Sequence, residues 1–559
     1  MFGYIIVVTM HIDDQTYTVN RRTYRRTLLR NSYRKNGKVY HDTIASLSKC
    51  GDDEIEAIKF ALANKKYLAA LKVPNKAVKT RQGLSVGAVW LLHQLAKRLG
   101  IVKAMGRSVN GKLSVWMVIS AVIGSVSRLS ATRLAQSHAA CDILGLDSFC
   151  EDDLYSALDW LNDHQQAIEK RLFNGRYQDK RPNLYLYDVT SSYLEGDQNE
   201  LGEYGYNRDG KKGKKQIVIG LLTDDEGQPI SCEVFRGNTR DTTTFKNQVD
   251  KVAQRFGIEE VTFVGDRGMI KSAQIRDLSE EKYHYITALT KPEIETLLKN
   301  NVVQIDLFDE TVCEVELKRV RYIYRRNPVR LMEIRENRQS KLRKLQSLCA
   351  QKVKYLAEHP KAKVNVAKRV VEEKAEKLKI NTWVSVNTQG RNLSLVNKDT
   401  QLEQQEKLDG CYVIKTDLSV KTASKETVHD RYKSLAEVEW AFRTMKTTLL
   451  HIRGIFVRKA NRTRAHVFTI MLAYLIAYQL RRLWQKIEFT VEEGVNELSS
   501  LCATEVLIGD VSIQTVPAPR ELSELLLKEA NVALPDAIPC RKVKVFTRKK
   551  LVEERRISV

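Results

Sequence analysis

The chain has 559 residues, 43% of them hydrophobic and 29% charged. That balance excludes a disordered polymer and leaves room for about three or four domains. Lys and Arg number 92 against 68 Asp and Glu, a net charge of +24, which points to a polyanionic partner, nucleic acid first. The nine cysteines include no Cys-x-x-Cys pair and no His/Cys cluster at zinc spacing, so a zinc module is excluded and reduced thiols in a cytoplasm are expected.

Residues 1–10 are apolar but lack a basic leader and a small-residue cleavage site, and read as a strand, not a signal peptide. Residues 1–80 read as short strands and turns around the basic stretch Arg21-Arg22-Thr23-Tyr24-Arg25-Arg26, continued by Arg30, Arg34, Lys35 and Lys38. Arginine interleaved with tyrosine fits a phosphate-tracking surface and a solvated strand face equally well. Residues 81–180 read as helical, with Trp90, Leu91, Leu95, Leu99 and Val102 at helical spacing and a further buried segment at 117–126. This is the expected DNA-binding region.

Pro182 breaks the helical pattern. Strands are expected at 184–189, 216–222, 229–235, 261–264 and 283–289, with a helix over 242–256. The apolar run 216–222 is nearly continuous, so its strand should be central and covered on both faces. Residues 295–410 differ in character. A strand-like piece at 312–324 leads into a polar helical hairpin over 328–378, crowded with Arg335, Arg338, Arg343, Lys344, Lys352, Lys354, Lys368 and Arg369, and bent at His359-Pro360. A strand-like piece at 382–386 follows, and 412–415 can return to the sheet. The apolar run 467–480 falls short of the about 20 residues of a membrane span and reads as a buried helix. Residues 490–559 read as a small appendage with a basic tail.

Three short stretches carry chemistry. Leu-Tyr-Leu-Tyr-Asp-Val-Thr-Ser at 184–191 and Val-Gly-Asp-Arg-Gly-Met at 264–269 each end an apolar strand on an aspartate, Asp188 and Asp266. Asp188 alternates with Leu186 and Leu184, and a charge on a core-facing side is costly unless paired or bound to metal. Either aspartate alone is a routine strand end. The third stretch sets Tyr432, Glu439 and Lys446 seven apart, close to two helical turns, so all three share one helix face beside an apolar stripe of Leu435, Val438, Phe442, Met445 and Leu449. Together Asp188, Asp266 and Glu439 form a hard-oxygen set suited to Mg²⁺, and two such ions can stabilise both oxygens of an in-line phosphoryl displacement. Lys446 and Tyr432 are placed to hold a DNA phosphate.

Two features mislead. Gly205-x4-Gly210-Lys211-Lys212 nearly spells a phosphate-binding loop, but lacks the Ser/Thr for Mg²⁺ and lies between two strands. A basic loop of Arg208, Lys211, Lys212, Lys214 and Lys215 beside the active site is the better reading. His451 and His466 read as DNA-contacting or packed residues, since a two-metal site prefers oxygen ligands.

With these motifs in order, the chain resembles the DDE transposases of bacterial insertion sequences, in the insertion-sequence-four superfamily and its sixteen-thirty-four-like group. The resemblance runs from about residue 31 to 480. It includes Ser32-Tyr33-Arg34…Gly37-Lys38, Tyr187-Asp188-Val189-Thr190, Gly205-Tyr206-Asn207-Arg208-Asp209-Gly210, Gly237-Asn238-Thr239-Arg240-Asp241, Asp266-Arg267-Gly268-Met269 and the segment from Tyr432 to Lys446. It implies an α+β multidomain protein with a ribonuclease-H-like mixed five-stranded sheet flanked by helices, interrupted by an insertion domain, and a helical N-terminal region. The expected parts are a strand-rich basic segment (1–80), a helical region (81–180), two core halves (181–294 and 411–489), an insertion domain (295–410) and a C-terminal appendage (490–559). It also implies Asp188, Asp266 and Glu439 as catalytic metal ligands for two Mg²⁺ ions, with Mn²⁺ able to substitute. Tyr432, Lys446, Arg443, Arg208, Lys211, Lys212 and Arg267 are the implied DNA contacts. The family's tyrosine–arginine–glutamate–lysine signature has Leu435 at its arginine position, leaving that contact to Arg431, Lys433 or Arg443. The activity implied is cleavage at terminal inverted repeats and strand transfer to target DNA, by a homodimer in the bacterial cytoplasm, nucleoid-associated and without a membrane. A nuclease without strand transfer, or a DNA-binding relic without catalysis, are the alternatives.

Overall fold

A computed structural model describes residues 6–547, apart from 20–21, 36–37, 64–78, 125–126, 207, 209, 212, 242, 246–250, 252–254, 257–260, 267–268, 271–274, 276–277, 279–282, 305–307, 449, 451, 453–454 and 509–510. It divides into two compact units, one of Met1–Val86, Leu501–Pro519 and Leu534–Lys542, the other of Gly87–Ser500, Arg520–Ala533 and Val543–Val559.

The first unit begins with an antiparallel meander of β1 (Ile6–Val19), β2 (Arg22–Lys35) and β3 (Lys38–Ser46). These strands are longer than the short ones expected from the sequence. The helix Asp52–Ala63 follows and buries Ile55, and β4 (Lys79–Ser85) closes the N-terminal part.

The second unit opens with the expected helices, among them Gly87–Arg98, Val109–Ile123 and Glu151–Arg176. Ser108 caps the second by accepting from the Gly111 amide. The strands that follow are β5 (Leu184–Tyr193), β6 (Gln216–Thr223), β7 (Pro229–Arg236), β8 (Thr262–Gly265), β9 (His284–Ala288), β10 (Cys313–Leu317), β11 (Val320–Arg326), β12 (Val384–Gln389), β13 (Asn392–Asn397) and β14 (Cys411–Thr416). The helix expected over 242–256 falls largely outside the described residues. The large sheet is mixed, in the order β10-β11-β14-β9-β8-β5-β6-β7. Strands β5, β8 and β9 run parallel, and the other pairs are antiparallel. β6 is buried at every position, as its continuous apolar run requires. An aromatic core that includes Tyr185, Tyr187, Phe245, Phe263 and Tyr285 packs against the sheet.

The sheet has eight strands where five were expected. β14 pairs with the outer edge of β9 (Ile414↔Ala288), and the β10–β11 hairpin adds beyond it. An unpaired β9 edge would leave backbone donors and acceptors open, and this extension satisfies them. Residues 313–326 therefore join the main sheet instead of lying wholly in the insertion. The polar hairpin Pro328–Glu358 and Val364–Lys377, bent where His359-Pro360 was read, shares with β12 and β13 a core of its own around Leu345, Leu356, Val371 and Trp383.

The helix Ala460–Leu483 is buried along most of its length and packs on β7 and on the helices Val109–Ile123 and Glu151–Arg176. No single helix among the described residues is long and apolar enough to cross a membrane. The C-terminal segment is not a free appendage. Its strands β15 (Cys502–Ile508), β16 (Val511–Thr515) and β17 (Ala537–Ile538) form a four-stranded sheet with β4 in the first unit, while the helix Glu521–Glu529 belongs to the second.

Candidate active site

The parallel register of β5 and β8 sets the geometry. Tyr187 stands opposite Gly265 in the last registered pair, so Asp188 and Asp266 are the next residues on two adjacent strands. Neighbouring strands lie about 4.8 Å apart. Asp188 is the first residue of β5 to reach solvent, and Asp266 lies just beyond the end of β8 and is exposed. Glu439 comes from the helix Leu435–Arg443, which packs on β5 through its apolar side. All three carboxylates line one cleft, made of two adjoining parts of about 450 Å³ and about 360 Å³.

The single helix expected from Tyr432 to Lys446 is three pieces. The helix Lys425–Lys433 ends at Ser434, Leu435–Arg443 follows, and Thr444–Thr448 is a π-helical turn. A seven-residue spacing cannot reveal such breaks, since each residue is still near two turns from the next. π-Turns concentrate at functional sites because they re-aim side chains. Here the turn carries buried Lys446, whose Nζ donates to Thr190 Oγ1, two residues after Asp188 on the same strand. Tyr432 Oη donates to Asp266 Oδ1 at 3.3 Å. Of the expected apolar stripe, Leu435, Val438, Phe442 and Met445 are buried, while Leu449 lies outside the described residues.

Basic groups stand around the acids. Arg208 and Arg443 line the smaller part of the cleft with Lys446, while Lys291, Arg330 and Lys433 line the larger. Lys433, but not Arg431, borders the cleft beside Leu435. Arg208 is held by Asp241 at 2.7 Å, its amide donates to Ser191 Oγ at 3.1 Å, and its guanidinium lies 5.8 Å from the exposed Tyr206 ring. Lys211 does not border the cleft, and its Nζ lies 5.9 Å from the Tyr193 ring. Lys212, Arg267 and His451 lie outside the described residues.

The loop over 205–215 joins antiparallel strands with no helix after it, which removes the phosphate-binding-loop alternative. Gly205 is needed for another reason: a Cβ there would stand 2.1 Å from the Gly237 carbonyl oxygen. His466 is buried beside Arg128, 3.4 Å away, and burial pushes its imidazole down to about 3, so it is a packed residue. Sequence reasoning quoted Thr190 and Asp241 within motifs but gave neither a role, and missed Lys291 and Arg330. Thr190 was accessible, because residue i+2 on a strand shares the face of Asp188. Asp241 pairs with Arg208 across a long separation that local spacing does not encode.

Burial pushes the Asp188 carboxyl up to about 7, and Asp266 and Glu439 add to the rise, against the Val189 amide and Arg208, which oppose it. A strand-end carboxylate in this state favours a proton or a cation. Among the described residues, no three His, Cys, Asp or Glu side chains are drawn together at metal-ligand distances. The three acids nonetheless line the same cleft.

Residues 179–476, more than half the chain, match the family described as Transposase DDE domain. The chain belongs to the DDE transposases. Residues 15–71 match the IS1634 family transposase, N-terminal domain, which sets its group. This transposase is an enzyme of DNA cleavage and strand transfer. Among solved structures it is similar to one titled "Cryo-EM structure of piggyBac transposase synaptic complex with hairpin DNA (SNHP)", at 8% identity and a TM-score of 0.37, over 76% of this chain and 82% of that one. So loose a likeness transfers no contact. No curated protein matches the transposase significantly.

Proposed function

We propose that Asp188, Asp266 and Glu439 are the catalytic carboxylates of a ribonuclease-H-like core, and that the transposase cuts at the terminal inverted repeats of an insertion sequence and joins the freed 3′ ends to target DNA. The observation that carries this is the β5–β8 register, which makes the two aspartates neighbours in the cleft that Glu439 also lines. The run β9-β8-β5-β6-β7, with three antiparallel strands continued by two parallel ones, supports the ribonuclease-H-like reading of those five strands.

The residues fit a pair of divalent cations. All three side chains offer hard carboxylate oxygens, the kind Mg²⁺ and Mn²⁺ prefer, and burial, with Asp266 and Glu439 adding, raises the Asp188 carboxyl, a cost that a bound cation relieves. Bound there, two ions would supply Lewis-acid stabilisation of the attacking and leaving oxygens. The chain's own residues do the rest. Lys446, pinned on Thr190, offers a fixed positive charge to the scissile phosphate. Arg208 and Arg443 hold flanking phosphates, and Asp241 keeps the Arg208 guanidinium in one orientation. Tyr432 steadies Asp266. Lys211, with Lys212 and Arg267 beside it and Asp266 in sequence, contacts the DNA outside the cleft. Water attacks in cleavage and a DNA 3′-hydroxyl attacks in transfer, so no covalent protein–DNA bond is needed. A homodimer holds both ends in the active complex, in the nucleoid of a bacterial cytoplasm.

The test is nicking of labelled DNA and joining of pre-cut ends across a Mg²⁺ titration. Asp188→Asn, Asp266→Asn and Glu439→Gln should each lose about 10³-fold or more, the several kcal/mol that metal binding supplies. DNA binding measured in Ca²⁺ should be kept. Mg²⁺-dependent cutting at the wild-type rate by any of the three removes that residue from the triad.

A further inference from the structure

The first unit carries a surface that the chemistry above does not use. β2 is the central strand of its three-stranded sheet, and the two-residue period puts Tyr24, Arg26, Leu28, Arg30 and Ser32 on one face. The register brings matching residues beside them: Tyr17 opposite Tyr24, Gln15 opposite Arg26, His11 opposite Arg30 and His41 opposite Ser32. The Tyr17 and Tyr24 rings stack at 5.8 Å, and both remain nearly half exposed. Ser32 Oγ lies 2.7 Å from His41 Nδ1 and 3.3 Å from His11 Nδ1, and Arg30 is steadied by Asp13 at 2.7 Å. Gln15 and Arg26 are exposed.

The opposite face is used internally. Arg25 is ion-paired to Asp14 and to Asp52 of the helix Asp52–Ala63, and Thr27 donates to Asp14. The two faces therefore differ in kind. On one, Asp14 and Asp52 hold Arg25 and Thr27; the other carries Asp13, which holds Arg30 and accepts from the Gln15 amide at 3.2 Å, beside imidazole, hydroxyl and guanidinium groups in ordered rows.

We propose that this face of the β1–β2–β3 sheet enters the major groove of duplex DNA and reads the sequence of the element's end. Charge complementarity favours DNA over a protein partner: residues 6–46 contain eight Arg and Lys against three Asp. Size fits as well. Outer strands of a three-stranded sheet are about 10 Å apart, and the major groove is about 12 Å wide and admits β-structure. Residues on an antiparallel strand rise about 3.4 Å each, close to the spacing of successive nucleotides in one DNA strand, so Arg26 and Arg30 stand about four base steps apart. The side-chain types match base edges, with Arg for guanine O6 and N7 and Gln for adenine N6 and N7, and the tyrosines at the end of the row meet sugar and phosphate. A surface built only to follow phosphates has no use for the glutamine and the two histidines.

The identity of that DNA as a transposon end rests on the function proposed above, whereas groove reading does not. The experiment uses the full chain in Ca²⁺ to select from a pool of random duplexes of about 25 base pairs. Affinity is then measured for the enriched duplex and for a scrambled one, beside joining of pre-cut ends in Mg²⁺. Gln15→Ala and Arg26→Ala should each weaken binding to the enriched duplex about tenfold, change the scrambled duplex less than about twofold, and erase the preference at one or two positions on reselection. Thr23→Ala, on the opposite face, should leave the selected sequence unchanged, and melting curves of all variants should overlay the wild type. Equal losses on both duplexes, or an unaltered selected sequence in Gln15→Ala and Arg26→Ala, overturn the proposal. Wild-type protein that joins ends yet enriches no sequence overturns it too and leaves the catalytic reading standing. Protein that enriches a sequence read through Gln15 and Arg26 but joins nothing supports the sheet and counts against the chemistry.

Discussion

Replacing Asp188 by Asn should stabilise the metal-free protein while abolishing catalysis. The carboxyl is raised from its usual 3.8 to about 7 by burial and by its acidic neighbours. Each pH unit is worth about 1.36 kcal/mol, so ionising Asp188 costs the fold on the order of 4 kcal/mol. Because the side chain keeps an edge to solvent, screening reduces this to about 2 kcal/mol. The sign follows from linkage. A carboxyl whose folded value lies above its unfolded one binds its proton more tightly in the fold, so its contribution is complete below about 4, falls as the pH rises, and is lost above about 7. Asparagine keeps the shape and never ionises. Thermal melts in EDTA at pH 8 should therefore show Asp188→Asn about 2 °C above wild type, the gap closing at pH 5. Added Mg²⁺ should raise the wild type and leave the variant where it was. A variant that melts below wild type in EDTA at pH 8, or gains as much from Mg²⁺, refutes this electrostatic account.

Two further substitutions separate chemistry from folding. Lys446→Met keeps the buried volume but removes the charge that Thr190 positions, and single-turnover cleavage should fall about 10²-fold with the melting point nearly unchanged. A rate within about threefold of wild type would remove Lys446 from the site. Glu169, fully buried in the helix Glu151–Arg176, accepts from Ser231 at 2.8 Å and pairs with Arg255, so Glu169→Ala strands a cation and should cost about 3–5 kcal/mol in denaturant unfolding. An unchanged unfolding midpoint would show that Arg255 finds another partner.

Much of the core was legible because its residues are apolar at the right period. β5, β6, β7, β8 and β9 fall within a few residues of the runs that announced them, and the aspartates stand out because each interrupts such a run. What was hidden depends on distance in sequence. β10 is short with mostly exposed alternation, and nothing local shows that β14, about a hundred residues later, will carry it into the sheet. Periodicity likewise cannot separate one helix from three consecutive pieces, so the break at Ser434 and the π-turn at Lys446 came only with the structure. In the N-terminal segment, tyrosine–arginine alternation left a solvated face and a DNA-binding face equally open. The register, which sets Gln15 opposite Arg26, His11 opposite Arg30 and His41 opposite Ser32, is what distinguishes the two sides.

The claim on which the rest depends is that Asp188, Asp266 and Glu439 hold the same ions. Fe²⁺ with ascorbate and peroxide generates radicals that cut the backbone beside bound iron, and sequencing the fragments locates every chain segment at the site. Cuts near 188, 266 and 439 together, suppressed by excess Mg²⁺ and absent in Asp188→Asn, are the expected outcome. Cuts beside only one of these positions, or a pattern that Mg²⁺ does not suppress, would contradict a shared metal site.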